Sequence, residues 1–92
     1  MTNKTQNETL LKFRNQIDFF DSELVNLLHE RLEIVKLVWE YKKKNNIEIL
    51  QEDRFKDVLE KVTNQADELG MNPILAYNIW DMIHEEALNL EK

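Results

Sequence analysis

The sequence predicts an all-α protein with one long helix followed by two shorter ones. The 92 residues contain one Gly and one Pro, fewer than the turns of a β-rich fold require. Apolar residues also recur every three or four positions from about Asn7 to Asn46, which is the period of an amphipathic helix. We therefore expect a single helical domain over residues 1–92, with residues 1–6 frayed at its start.

The long helix carries an apolar face that it cannot cover within its own chain. A helix of about 40 residues is about 60 Å long, whereas a compact domain of this size has a radius of gyration of about 12 Å. The two shorter helices are too short to bury the whole face, so we expect the same helix from a second copy to cover it, in a homodimer. The main row of this face is Leu10, Phe13, Ile17, Phe20, Leu24, Leu27, Ile34, Val38 and Tyr41.

Three cations interrupt the apolar face. Arg31 takes a place in the main row, and Arg14 and Lys42 lie in the row beside it. Arg31 and Lys42 are about 16 Å apart on one side of a straight helix, while Arg14 lies about 25 Å from Arg31 and is rotated by about 100°. One small ligand can meet both arginines only if a second chain supplies Arg14. The alternative is that these cations extend from the rim of a helix seam into water.

The long helix is expected to end in an asparagine turn before a loop over residues 46–51. Asn45 or Asn46 suits this position because asparagine tolerates the left-handed backbone conformation. Three apolar side chains of the loop are expected to anchor it to the core: Ile47, Ile49 and Leu50.

The remaining sequence predicts the two shorter helices. The second helix spans about residues 52–69, and Gly70 suits the left-handed turn that follows a helix. Asn72 and Pro73 then supply the N-cap and first position of the third helix, which is expected to end near Glu91.

Composition excludes several classes of protein. The net charge is −6, and an acidic chain is a poor partner for nucleic-acid phosphates. No apolar run approaches the roughly 20 residues of a membrane span, and the polar N-terminus predicts no signal peptide. The chain has no Cys, which removes thiol chemistry and fits a reducing, cytoplasmic location.

Nucleophilic and metal chemistry find little support in the sequence. Ser22 has no His at a helical offset, and neither His29 nor His84 lies in a ligand pair such as His-x-x-x-His. Asp18 and Asp21 share a helix face, either as an acid/base pair or as solvated or Arg-paired carboxylates. We therefore expect neither a metal nor a cofactor.

The candidate site residues that remain are four cations. Such a set suits a small dianion, because Arg binds carboxylates through paired hydrogen bonds and Lys supplies a movable point charge. Reactions that need neither a nucleophile nor a cofactor fit such a site. Its members are Arg14, Arg31, Lys42 and Arg54.

In this order and spacing, the chain resembles the all-helical chorismate mutase family, in its small monofunctional form. The similarity covers nearly the whole chain, and the ordered set of motifs is more specific than any one motif. It rests on Leu10-x-x-x-Arg14-x-x-Ile17-Asp18, Asp21, Leu27-Leu28-x-x-Arg31, Lys42, Asp53-Arg54 and Ile79-Trp80-x-x-Ile83-x-x-x-Ala87-x-x-x-Glu91.

The resemblance implies an intertwined homodimer that rearranges the dicarboxylate chorismate to prephenate in the shikimate pathway of aromatic amino acid biosynthesis. Each of two sites would take Arg14 from one chain and its other residues from the partner chain. Arg14 and Arg31 would hold the substrate carboxylates, and Lys42 would donate to the ether oxygen that gains negative charge. Arg54 would support the site. Further substrate-binding positions would be Gln51, Phe55, Ala87 and Glu91.

Glu91 departs from the family pattern, which usually has a Gln that donates to the same ether oxygen. An ionised carboxylate cannot donate a hydrogen bond. We therefore expect Glu91 to act as a catalytic group in its protonated form, with activity that falls as pH rises. The alternative is that Glu91 is frayed at the chain end.

Phe55 is the second departure, because mutases commonly have a Glu there that contacts the ring hydroxyl, and often an acid where Gln51 stands. The related isochorismate-pyruvate lyases share the fold and the cations and tolerate an apolar residue at this position. Aminodeoxychorismate mutases form a third branch, and Phe55 is otherwise an ordinary core residue. A helical dimerisation or regulatory module without turnover is the non-enzymatic alternative.

Overall fold

The computed structural model consists of three helices and describes residues 2–48 and 52–91, with side chains described from residue 6. The helices are α1 (Thr2–Lys44), α2 (Glu52–Glu68) and α3 (Pro73–Leu90). The described residues contain no strand, which confirms the predicted all-α class and the order of one long helix and two shorter ones.

α1 begins earlier than predicted. The apolar pattern placed its start at about Asn7, but the helix begins at Thr2. The predicted start is wrong because residues 2–6 contain neither Gly nor Pro, so nothing interrupts helical hydrogen bonding before the apolar pattern begins. Fraying of residues 1–6 stays a prediction, and Met1 lies outside the described residues.

α1 ends in the predicted asparagine turn. Asn46 has a φ of 55°, and the backbone N–H of Ile47 donates to the carbonyl of Lys42 at 2.9 Å. This bond across a left-handed residue closes the helix end and fixes the backbone of its last turn. Ile47 stays 38% exposed, while Ile49 and Leu50 lie outside the described part of the chain.

The turn between α2 and α3 also follows the predicted signals. Gly70 has a φ of 78°, and the backbone N–H of Met71 donates to the carbonyl of Ala66 at 2.8 Å. The Asn72 side chain then caps α3, and Pro73 occupies its first position. These local bonds reverse the chain within a few residues and allow α2 and α3 to pack against each other.

The chain divides into two compact units, and the boundary falls inside α1. The first unit, Met1–Glu33, contains most of α1, and every described side chain from residue 6 to residue 30 is exposed. Phe20, for example, is 62% exposed. Such a continuous apolar face is uncommon on a soluble monomer, and a partner helix that covers it stays a prediction.

The second unit, Ile34–Lys92, contains the last turns of α1 together with α2 and α3. Its buried positions in the described chain are the small residues Ala66, Ala76 and Ala87. Small side chains at these positions allow the helices to approach closely. None of the described helices is both long and apolar enough to cross a membrane.

Candidate active site

Lys42 lies in the last turn of α1 and is half-buried. Its Nζ atom lies 4.8 Å from the centroid of the Trp39 ring. The two residues are three positions apart and share a helix face. An ammonium group over an aromatic face is attracted by the negative charge of the π-system, so the ring holds the Lys42 charge at a defined place near the end of α1.

Trp39 connects this part of α1 to α3. Its Nε1–H donates to the backbone carbonyl of Ala87 at 2.7 Å, although the two residues are 48 positions apart in the sequence. Ala87 is 7% exposed. The structure thus brings Ala87, a predicted site residue, against a side chain that itself contacts Lys42.

Glu91 follows Ala87 by four residues, so both lie on the same face of α3. It is the C-cap of α3, with φ −68° and ψ −25°, and its side chain is half-buried. Its backbone N–H donates to the carbonyl of Leu88 at 3.3 Å. Glu91 therefore continues the helical geometry at the end of α3, on the face that Trp39 contacts.

Phe55 of α2 approaches the same face of α3. Its ring stacks on that of His84 with centroids 3.6 Å apart and planes 12° apart. Both residues are half-buried. Because His84 precedes Ala87 by three positions, it lies near Ala87 on the helix surface. The stacked pair therefore lies near Ala87 on α3. A role of Phe55 in substrate binding stays a prediction.

The predicted arginines lie in different parts of the chain. Arg54 is exposed in the first turn of α2, next to Phe55. Arg14 is exposed and Arg31 is half-buried, both within the first unit. Their convergence with Lys42 stays a prediction. Gln51 lies outside the described residues.

Two residues of this arrangement were missed by the sequence reasoning. Trp39 was not among the predicted site residues, and His84 was considered only as a metal ligand. A positional signal existed for each, since Trp39 precedes Lys42 by three residues and His84 precedes Ala87 by three. Residues three apart on a helix share a face, so both were neighbours of predicted site positions.

The second unit thus combines an ammonium group and a carboxyl group near a partly buried aromatic surface. An arrangement of this kind can place positive charge, and a hydrogen-bond donor if the carboxyl group is protonated, beside an anion or a bond that gains negative charge. Among the residues that the structure describes, no group of three or more His, Asp or Glu side chains is placed to hold a metal ion.

Comparison with protein-family models identifies the family of this helical chain. A family model described as chorismate mutase type II matches residues 13–92. The chain therefore belongs to the chorismate mutase type II family, which confirms the resemblance drawn from its motifs.

Individual relatives agree with the family match. A bifunctional chorismate mutase/prephenate dehydratase of Buchnera aphidicola is 35% identical over 83 residues, which is 90% of this chain and 22% of the relative. A protein of the same name from Aquifex aeolicus is 34% identical over 88 residues, which is 92% of this chain and 24% of the relative. T-protein of Enterobacter agglomerans is 32% identical over 82 residues, 89% of this chain and 22% of that protein.

The chain thus spans less than a quarter of the length of these three relatives. No solved structure shows a significant match to it.

Proposed function

We propose that this chain is a chorismate mutase, which rearranges chorismate to prephenate. The observation that carries the proposal is the family match over residues 13–92, a range that includes every proposed site residue from Arg14 to Glu91. The names of two relatives, which include a chorismate mutase activity, support it.

The proposed reaction is pericyclic: the ether C–O bond breaks while a new C–C bond forms, and no covalent bond to the protein is needed. The site therefore acts by confining a reactive conformer and by stabilising the negative charge that grows on the ether oxygen. Arg14 and Arg31 hold the two carboxylates, with Arg54 as support, and Lys42 donates to the ether oxygen. The half-buried position of Lys42 supports this role, since its charge is less screened by water than that of an exposed lysine.

The proposed active form is an intertwined homodimer in which Arg14 crosses the interface to complete the partner's site. The exposed apolar face of α1 supports this assembly, because a second α1 is the most direct way to remove it from water. The helical distance between Arg14 and Arg31, about 25 Å, gives the reason why one chain alone does not form the site.

A role in aromatic amino acid biosynthesis, in the cytoplasm, follows from the proposed activity. The names of two relatives include prephenate dehydratase beside chorismate mutase. In those proteins, prephenate, the product proposed here, is the substrate of the second named activity.

An isochorismate-pyruvate lyase is the second candidate function, and the Phe55–His84 pair is the observation that favours it. By the family resemblance, Phe55 stands where mutases commonly have a Glu that contacts the ring hydroxyl, and its ring stacks on that of His84. A site without that carboxylate loses one hydrogen-bond acceptor for chorismate and so discriminates less against a ring that carries its hydroxyl elsewhere. Aminodeoxychorismate, which has a different ring substituent, is a further candidate substrate, and a non-catalytic helical module is the remaining alternative.

Product analysis by chromatography tests these candidates. The purified protein is given chorismate, isochorismate and aminodeoxychorismate separately, and we expect prephenate from chorismate as the dominant product. Salicylate and pyruvate from isochorismate, with little prephenate, would replace the mutase by the lyase. Preferred turnover of aminodeoxychorismate would support the third branch, and no turnover of any substrate would favour the non-catalytic module.

A further inference from the structure

We infer that Trp39 is a positioning residue that fixes Lys42 and the C-terminal turn of α3 relative to each other. The inference rests on the proposed function, in which Lys42 and Glu91 act on the same ether oxygen. In the proposed site, Trp39 does not itself contact the reacting atoms. It acts through the two groups that its indole ring contacts, one at its edge and one at its face.

The edge of the indole ring completes the hydrogen bonding of α3. In a regular α-helix the Glu91 N–H would donate to the Ala87 carbonyl, four residues earlier. Here that N–H donates to the carbonyls of Leu88 and Asn89 instead. The Ala87 carbonyl accepts the Trp39 Nε1–H at 2.7 Å, at the short end of the range for N–H···O bonds. A side chain of α1 thus takes the place of the last helical donor.

The face of the same ring holds the ammonium group of Lys42, 4.8 Å from its centroid. Indole is the best of the aromatic faces for a cation. Because one rigid side chain makes both contacts, the position of the Lys42 charge is tied to the backbone of α3 at Ala87. Glu91 lies one turn further along that helix, on the same face.

This connection matters for catalysis because two donors must converge on one oxygen. A misplacement of about 1 Å can cost about 100-fold in rate. Loss of the Trp39 bond should therefore lower kcat. KM should change little because, in the proposed site, Arg14 and Arg31 hold the substrate carboxylates, whereas Lys42 and Glu91 act on the ether oxygen.

Two substitutions separate the effect of the Nε1–H hydrogen bond from that of the ring face. Trp39→Phe keeps an aromatic face for Lys42 but removes the N–H donor, and Trp39→Leu removes both. Trp80→Phe is the matched control, because Trp80 is a half-buried tryptophan of α3 that has no role in the proposed site. We expect kcat to fall about tenfold in Trp39→Phe with KM within about twofold, and to fall further in Trp39→Leu. Trp80→Phe should keep the wild-type kcat.

A kcat in Trp39→Phe equal to that of Trp80→Phe would overturn the inference, as would a rise in KM with unchanged kcat. Hydrogen exchange over residues 87–91 gives a second readout that does not need turnover. The amides of this segment should exchange about fivefold faster in Trp39→Phe than in Trp80→Phe. Equal exchange rates would also overturn the inference. A wild-type protein without turnover of chorismate would instead contradict the proposed function, and the exchange rates alone would then decide whether Trp39 anchors α3.

Discussion

Substitution of Lys42 by Ala is expected to lower kcat/KM for chorismate by about a thousandfold or more while the protein stays helical. The proposed transition state gathers negative charge on the ether oxygen, and Lys42 supplies the cation aimed at it. The Lys42 residue is half-buried and its ammonium group lies over the Trp39 ring, so truncation to Ala removes a positioned positive charge. Steady-state kinetics and circular dichroism of the variant measure the two effects.

Lys43→Ala is the matched control for this substitution. Lys43 is an exposed cation in the same last turn of α1, so the variant removes the same charge from the same helix end. We expect its kcat/KM to stay within about twofold of wild type, since exposed charges are strongly screened. Equal losses of kcat/KM in Lys42→Ala and Lys43→Ala would show that Lys42 acts only through the net charge of this helix end. A loss of helicity in Lys42→Ala that matches its loss of activity would favour a structural role.

The second large effect is a dependence of activity on pH, which we expect Glu91 to cause. Only the protonated carboxyl group donates a hydrogen bond to the ether oxygen, and the carboxylate repels the developing charge. The activity of the wild-type protein should therefore be highest at low pH and fall as pH rises from 5 to 8. Glu91→Gln supplies an amide donor at every pH, so its profile should be flat and its kcat at pH 8 should exceed that of wild type by about tenfold or more.

Glu86→Gln provides the control for the pH experiment. Glu86 is an exposed carboxylate of α3 near the same helix end, and its replacement should leave the fall in activity with pH unchanged. A flat profile for the wild-type protein between pH 5 and pH 8 would contradict the role of Glu91. So would a Glu91→Gln variant that keeps the wild-type pH dependence.

The helix ends were predictable because the residues that set them act locally. Gly70 and Asn46 take the left-handed conformation that their short side chains allow, and the Asn72 side chain accepts a backbone hydrogen bond two residues along the chain. The start of α1 was not predictable in the same way, since its first residues carry neither an apolar pattern nor a helix breaker.

The site was predictable only in part. The motif spacing identified Lys42, Ala87 and Glu91 as site residues. In the structure, Trp39 contacts both Lys42 and Ala87. The hydrogen bond to Ala87 joins Trp39 to a residue 48 positions away, and helical periodicity carries no information about such a contact. The stacking of Phe55 on His84 is likewise a contact between two helices. Side-chain spacing within one helix predicts faces, whereas packing between helices decides which faces meet.

Complementation between two inactive variants tests the central claim, a mutase site shared between two copies of the chain. Arg14→Ala and Lys42→Ala are each expected to be inactive as homodimers. When they are unfolded together and refolded, about half of the dimers should be mixed, and each mixed dimer should hold one intact site, which restores about a quarter of wild-type activity. Prephenate formation near that level would support the shared site. A mixture as inactive as its components would contradict it.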